Sequence, residues 1–503
     1  MKRNYFYIFT VALFVLSACS KDFLEKSPTD TISEEDLGKA VEQDPELLNG
    51  SVLGLYSTMF EPGTGGTSGV DDDFGQKGQD INMDLLTSDA VIEGTDWGWY
   101  GAMGQYTPTL DFTTNNVYVP WRYYYRIIFG ANTIIDALGG TDVEIPEDET
   151  SKRYIMGQSK AMRAYAYFYL SQLFSRKGYG SDGDLILPLY TKVEKANLPL
   201  STSKEVYDLI VSDLKQAIVY LEGFERTSKS QVNKYVAKGL LSYALMARGT
   251  QADWQEVVTL TNDIISNSGH PLTTKSQTTG IVTNGVLTNP ESGFNNVATP
   301  SWIWGTDLTI ENGLLFDTFW AHMDYYTYGY ASSGDAKLIS KDLYDLIPAT
   351  DIRKRQFHAT RLYPLNKFFD PARVWDGQNP VTCDYLYMRA DEFYLLNAEA
   401  NANLSQDAAA RSTLKRLLDL RLDDATYINT LSGQALKDEI YLQTRIELWG
   451  EGKIYLYNKR NKKSITTASN HYSTKGEVIP YDAQKLTFPI PQAEILNNPF
   501  ITR

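Results

Sequence analysis

The chain has 503 residues, 62 acidic against 47 basic side chains, and a formal charge of −15; 43% of residues are hydrophobic and 13% aromatic. That length can bury a large core or more than one lobe. A body this acidic repels phosphate, which excludes general nucleic-acid binding, and it is a poor partner for anionic membrane surfaces and strongly anionic ligands unless a local basic patch overrides the field.

The N-terminus reads as an export signal. Lys2 and Arg3 precede a mostly apolar run over 5–16 and then Leu16-Ser17-Ala18-Cys19. A cationic start, a short apolar core and small residues before a cut site make a secretory signal, too short to span a bilayer comfortably. The Leu-Ser-Ala-Cys ending resembles the bacterial lipobox, which implies cleavage after residue 18 and lipidation of Cys19. Acyl chains then hold the protein by roughly 0.8 kcal/mol per buried methylene. Losing Lys2 and Arg3 with the signal leaves 45 basic and 62 acidic groups, or −17. With Cys19 lipidated, Cys383 is the one remaining cysteine, so size rather than cross-linking supplies stability. Residues 19–32 form a polar tether, with Phe23 and Leu24 as an anchor onto the body. A first helix opens near Ser33 as N-cap.

Helical periodicity dominates from there. Residues 119–138 place Trp121, Tyr124, Ile127, Ile128, Ala131, Ile134 and Ile135 at helical spacing before Gly139-Gly140. Residues 151–174 alternate small alanines with Phe168, Leu170, Leu173 and Phe174, a pattern that lets a neighbouring helix approach closely. Further helices are predicted over 204–221, 233–248, 253–266, 388–404, 406–420 and 436–450. Antiparallel pairs of this length read as a tetratricopeptide-like solenoid. The fold class is therefore mostly α: a helical-pair scaffold with long, irregular, aromatic-rich loops and minor short strands. The gaps over 61–114 and 269–333 are the long loops. Such loops are functional or disordered, and their large aromatics argue against disorder. A short strand is predicted through Trp302 and Trp304, which are assigned to the core.

Several motifs then fall in one order: Phe23-Leu24-Glu25 and Pro28 after the lipobox; Met162-Arg163-Ala164-Tyr165-Ala166-Tyr167-Phe168-Tyr169-Leu170; Leu187-Pro188-Leu189; the helix from Tyr387-Met388-Arg389-Ala390-Asp391-Glu392 to Glu399-Ala400; Arg445-Ile446-Glu447-Leu448 with Glu451-Gly452; and Phe488-Pro489-Ile490-Pro491 with Glu494 and Asn498-Pro499. Together they resemble SusD/RagB proteins, lipidated outer-surface nutrient binders of Bacteroidetes, over nearly the whole chain. Ser20-Lys21-Asp22 is similar to the short signal that sends such lipoproteins to the outer face of the cell. One departure stands out: where the family carries an Arg and an Asp three residues apart, this chain has Ile454 and Tyr457, both partners of an ion pair lost together. The resemblance implies an N-terminal SusD-like region over 33–230 and a C-terminal RagB/SusD-like region over 231–503, packed as one body. It implies an outer-membrane lipoprotein facing the cell exterior that captures oligosaccharide or polysaccharide and delivers it to a SusC-like TonB-dependent transporter. Its partners are that transporter, the glycan and, through the lipid anchor, the outer membrane, with no nucleic acid. The alternatives are RagB-like binding of peptide or another nutrient and, further off, a surface glycoside hydrolase.

Two loop clusters are the candidate site. The first is Asp96-Trp97-Gly98-Trp99-Tyr100-Gly101; the second runs from Phe316 through Phe319-Trp320 to Tyr325-Tyr326-Thr327-Tyr328-Gly329-Tyr330. Flat rings stack on the C–H faces of sugars while polar groups take the hydroxyls. The ligand-binding candidates are Trp97, Trp99, Tyr100, Trp320, Tyr325, Tyr326 and Tyr328, and the family's ligand loops lie in these two parts of the chain. Catalysis has little support. His270, His322, His358 and His471 lack metal-ligand spacing, and no phosphate loop or nucleophile elbow occurs. Asp317 and Asp324 lie close in sequence, but with 62 carboxylates such proximity arises by chance. No enzyme activity, cofactor or metal is assigned. Asp71-Asp72-Asp73 reads as a solvated charged loop rather than a cation site, and Arg163, Arg389, Glu392, Glu399, Arg445, Glu447 and Glu451 read as ion pairs that pack helices.

Overall fold

A computed structural model describes residues 34–501 apart from 69, 181–183 and 290–291. The signal, Cys19, the tether and the Ser33 cap lie outside the described residues. The helices of seven or more residues, with one shorter helix that carries Trp320, are in chain order α1 (Glu34–Gln43), α2 (Asn49–Ser57), α3 (Gln76–Thr87), α4 (Asn115–Ala137), α5 (Thr150–Phe174), α6 (Ser203–Tyr220), α7 (Lys234–Arg248), α8 (Gln251–Asn267), the short α9 (Phe319–Met323), α10 (Ala390–Asn403), α11 (Asp407–Leu418), α12 (Gly433–Glu447) and α13 (Ile454–Arg460).

Sequence neighbours are space neighbours along the stack: α4 packs on α5, α5 on α6, α6 on α7, α7 on α8, and then α8 on α10 and α10 on α11. The periodic helices thus form the predicted helical-pair scaffold. Local chemistry sets the turns. Gly249 closes α7 in the left-handed region (φ 68°) and donates to Leu245 O, while Thr250 and Asp253 form a capping box that starts α8 at once. A two-residue connection forces the second helix back along the first. Close crossings use small residues. A Cβ on Gly239 in α7 would lie 2.6 Å from Met388 Sδ and 2.7 Å from Phe393 Cζ, so the α7–α10 approach needs glycine there.

Three differences from the sequence reading have physical causes. The gap 61–114 contains α3, whose polar sequence has no apolar period but is entirely buried. Its side chains satisfy one another and their neighbours: Gln76 Oε1 accepts from the phenols of Tyr124 and Tyr165, and its amide donates to Asp80 Oδ1 at 2.8 Å. Lys77 pairs with Asp80 at 2.8 Å. Second, Met388 and Arg389 belong to a strand rather than to the start of α10. Third, α4 begins one turn earlier than the apolar pattern, at Asn115.

The strands are short, and those of three or more residues are β1 (Ala90–Ile92), β2 (Leu185–Pro188), β3 (Leu200–Thr202), β4 (Trp302–Thr306), β5 (Lys337–Ile339) and β6 (Tyr385–Arg389). β4 pairs antiparallel with β6, and Trp302 and Trp304 are buried as expected, donating to Gly293 O at 2.7 Å and Ser230 O at 2.8 Å. β1 pairs antiparallel with β5, Ala90 opposite Ile339 and Ile92 opposite Lys337, and the ladder continues with Glu93 N donating to Ala336 O at 2.9 Å. The chain leaving β1 and the chain entering β5 therefore emerge at the same end of this pair. One hydrophobic cluster runs from Val41 to Phe488, and a second lies among α10, α11 and α12.

The motif charges form buried ionic contacts. Arg389, Arg421, Arg353 and Lys367 face Asp391, Glu447, Glu451 and Asp351 with their side chains almost wholly out of solvent. Burial alone would raise the Glu447 carboxyl; Arg421 and Arg389 outweigh it and hold the group well below its usual range. Glu451 is held at about 2 in the same way by Arg389 and Lys367. Arg163 makes two hydrogen bonds of 2.8 Å to Asp213, and Arg460 reaches Glu399 at 2.9 Å. Ile454 and Tyr457 are buried, so apolar packing occupies the positions of the missing ion pair.

Candidate functional site

The β1–β5 pair brings together two loops that lie more than 200 residues apart in sequence. Asp335, just before β5, accepts from the backbone N–H groups of Asp96 at 2.9 Å and Trp97 at 3.0 Å. The first loop is thereby fixed on the second. Tyr330 stands at the junction. The rings of Trp97, Trp99 and Phe316 meet its ring edge to face at 6.1, 6.2 and 6.4 Å. Trp97 is 59% exposed, Phe316 40%, and Trp99 is half-buried, so the group presents ring surface to solvent. Exposed aromatics held at fixed angles by a buried ring are pre-organised to receive a flat apolar face.

Beneath this surface the support is polar and dry. Tyr330 stacks on His322 at 4.8 Å, and His322 stacks in turn on Phe74 at 5.6 Å. The Tyr330 phenol donates to the Asp71 carboxylate, and His322 Nε2 lies 2.8 Å from Asp71 O, so this nitrogen carries the proton. Burial first, and Lys337 second, hold the imidazole well below its ordinary range, which keeps it neutral. The solvated-loop reading of Asp71-Asp72-Asp73 is thus corrected: all three are buried. Asp73 takes Gly65 N at 2.8 Å and Thr67 Oγ1 at 2.7 Å, and Asp72 accepts from Asn116 Nδ2 at 2.8 Å. Burial pushes Asp72 up to about 6, with Asp73 adding to the effect. Three adjacent carboxylates find donors on three elements, which no local pattern reports.

Two candidates are corrected. Trp320, 0% exposed, points inward from α9 against Phe319 and Phe368 at 5.8 and 6.4 Å. Tyr100, 2% exposed, donates to Gly78 O at 3.3 Å and meets His322 edge on at 5.1 Å. Neither ring has an open face: His322 covers Tyr100, and Phe319 and Phe368 pack against Trp320. Tyr325 and Tyr326 are half-buried. Tyr325 stacks on Tyr363 at 5.1 Å, and the Arg373 guanidinium lies 4.6 Å over the Tyr326 ring. Tyr328 is 48% exposed, and its N–H donates to Gln378 O at 3.3 Å. The segment that carries Gln378 also carries exposed Trp375, with Gly377 N donating to Tyr326 O at 3.0 Å. Trp375 was not among the sequence candidates, although Trp375-Asp376-Gly377 repeats the Trp-beside-Gly composition of the first cluster.

Asp324 is not available as a catalytic carboxylate. It is buried and accepts from Tyr326 N at 3.0 Å, Thr327 Oγ1 at 2.8 Å and Asp370 N at 2.9 Å. Among the described residues no group of three or more His, Cys, Asp or Glu side chains is placed to hold a metal ion.

The chain is thus a helical-pair scaffold that carries a loop-borne aromatic surface. The comparisons with known proteins are specific. Residues 74–246 match the family model described as "Starch-binding associating with outer membrane", and residues 296–503 match that of the SusD family. The chain belongs to the SusD/RagB family. A SusD-like protein of Bacteroides ovatus is 23% identical over 54% of this chain and 46% of its own length, so this chain spans about half the length of that curated relative. A crystal structure of a SusD-like carbohydrate binding protein from Bacteroides vulgatus superposes with a TM-score of 0.72 at 21% identity, covering 90% of this chain and 96% of that one. Surface glycan-binding protein A from Bacteroides uniformis superposes at 0.64 with 17% identity, covering 91% and 99%. At these identities the two structures share the fold.

Proposed function

We propose that this chain is a cell-surface glycan-binding lipoprotein that captures oligosaccharide or polysaccharide and delivers it to a SusC-like TonB-dependent transporter in the outer membrane. The observation that carries the reading is the set of Trp97, Trp99 and Phe316 on Tyr330, an exposed aromatic surface fixed by a buried support. Two neighbours in fold are described as carbohydrate or glycan binders, and a family description names starch. Trp97, Trp99 and Phe316 stack on sugar rings, with Tyr328 and Trp375 extending the contact and Tyr325 and Tyr326 contributing their free edges. The chain acts by binding, without cleavage. Among the described residues no helix is long and apolar enough to cross a membrane, and Cys19 supplies the anchor through its lipid.

A glycan panel on the chain from Lys21 onward tests this. Retention without cleavage supports it; cleavage, or retention of peptides with no glycan, overturns it. Cys19→Ala should release the protein from the outer membrane with its ligand affinity intact, and pull-down from solubilised outer membranes should recover a TonB-dependent protein.

A further inference from the structure

A concave site shares no lining residue with the aromatic surface. A cleft of about 500 Å³ opens along α4, lined by Tyr118, Arg122, Tyr125 and Arg126 and closed by Tyr190 and Glu494. Positions 118, 122, 125 and 126 recur at helical spacing, so one face of α4 carries two rings and two guanidinium groups. The volume falls within the range of small-molecule sites.

The rings are fixed. Tyr125 packs on Trp121 at 4.9 Å and meets Tyr190 almost perpendicularly at 6.0 Å, and its phenol donates to Pro188 O at 2.8 Å. One guanidinium is also placed. Arg122 lies 5.0 Å over the Tyr118 ring and donates to Gly66 O at 3.2 Å. Gly66 has φ +82°, and a Cβ there would fall 2.3 Å from Arg122 Cζ, so glycine makes room for the guanidinium. Arg126 is exposed and makes no hydrogen bond or ion pair with any described residue. Neither arginine pairs with Glu494, whose Oε1 accepts from Asn498 Nδ2 at 2.9 Å. An adjoining hollow of about 190 Å³ shares Tyr125 and Tyr190 and adds Lys192 and Lys195, with Glu194 beside them. Basic groups thus outnumber acidic ones around these two hollows, on a chain of net charge −15.

We propose that this cleft is a second saccharide site, selective for a sugar unit that carries an anionic group. The ring lies against Tyr125 and Tyr190, the anion takes Arg122 and Arg126, and Glu494 accepts a sugar hydroxyl. Guanidinium forks match carboxylate and sulfate oxygens two at a time, and aromatic walls match the C–H face of a sugar. The saccharide class rests on the proposed glycan function; the charge selectivity rests on this cleft alone.

The test is ligand-observed NMR titration of the full soluble chain with glucuronic acid, glucose 6-sulfate and, as the uncharged control, glucose. Both charged sugars, or one of them, should bind more tightly than glucose, and the preferred arm identifies carboxylate or sulfate. An Arg122→Gln, Arg126→Gln double variant should lose roughly tenfold or more of that affinity. Glutamine keeps helix propensity at these exposed positions, so the melting temperature should hold. Binding of neutral oligosaccharides by this double variant should be unchanged. Absence of saturable charged-sugar binding up to about 50 mM, or equal binding by the double variant, overturns the proposal even where neutral oligosaccharides still bind the Trp97 surface. Arginine-dependent binding of the charged sugars with no neutral glycan bound anywhere would instead sink the primary reading and leave this one standing.

Discussion

Tyr330 donates its phenol to the carboxylate of Asp71, across 259 residues of chain. This bond joins the loop that carries Phe316 and Tyr328 to the loop that opens into α3, and the ring above it is the one on which Trp97, Trp99 and Phe316 converge. His322 doubles the tie by binding the Asp71 carbonyl oxygen. The aromatic surface is therefore a tertiary object, assembled where the β1–β5 pair delivers both loops.

Tyr330→Phe keeps the ring and removes the tether. It leaves the buried Asp71 carboxylate short of a donor, which costs about 1–3 kcal/mol. Stability should fall by that order in urea melts, and glycan affinity should weaken as Trp97 and Phe316 lose their common support. Unchanged affinity would mean that Asp335 alone positions the loops.

Trp97 and Trp320 should behave in opposite ways. Trp97→Ala removes an exposed ring and should weaken glycan binding by several-fold to tenfold, about 1 kcal/mol or more, with little change in melting temperature. Trp320→Ala empties a buried volume and should destabilise by roughly 3–5 kcal/mol while the folded fraction still binds. Calorimetric titration and thermal melts on both variants decide the matter.

The buried ionic cluster makes a scaffold prediction. Arg389 contacts Glu447 and Glu451 at 2.9 Å and Asp391 at 3.0 Å, all out of solvent. Arg389→Met takes one of the cations from each of those carboxylates and should cost about 3–5 kcal/mol, without changing glycan affinity measured below the melting transition. A loss of affinity in folded protein would assign the cluster a role in binding.

The Asp324 carboxyl is pushed up to about 7 by burial, which its three hydrogen bonds only partly offset. The folded state keeps a proton that the unfolded chain releases near pH 4. The stability from this group is full below that pH and is lost as pH rises through about 7. Urea melts between pH 4 and 8 should show the wild type losing stability, relative to Asp324→Asn, as pH increases. Parallel curves for the two proteins would contradict this account.

Much of the fold was legible because its signals are local. The apolar periods of 119–138 and 151–174 act within a few residues, and each marks a helix close to where it forms. Helix α3 was not legible, because its stability comes from polar partners on α4 and α5 rather than from an apolar face. The same limit applied at the site. Composition marked both aromatic loops, but whether a ring faces water depends on what packs behind it. Trp97 and Tyr328 are exposed, while Tyr100, next to Gly101, and Trp320 are covered by His322 and Phe368.

By itself, the sequence determined the helical-pair scaffold, the family, and the two stretches of chain that carry the aromatic loops. All of these rest on periodicity, capping and ordered motifs, which act over short range. Only the tertiary structure decided that the two loops meet, that Tyr330 and Asp71 hold them, that Trp375 lies exposed on the segment beside Tyr326, and that Trp320 and Tyr100 are core. The reason is physical: exposure and mutual placement are set by contacts between residues hundreds of positions apart, and side-chain type alone carries no record of them.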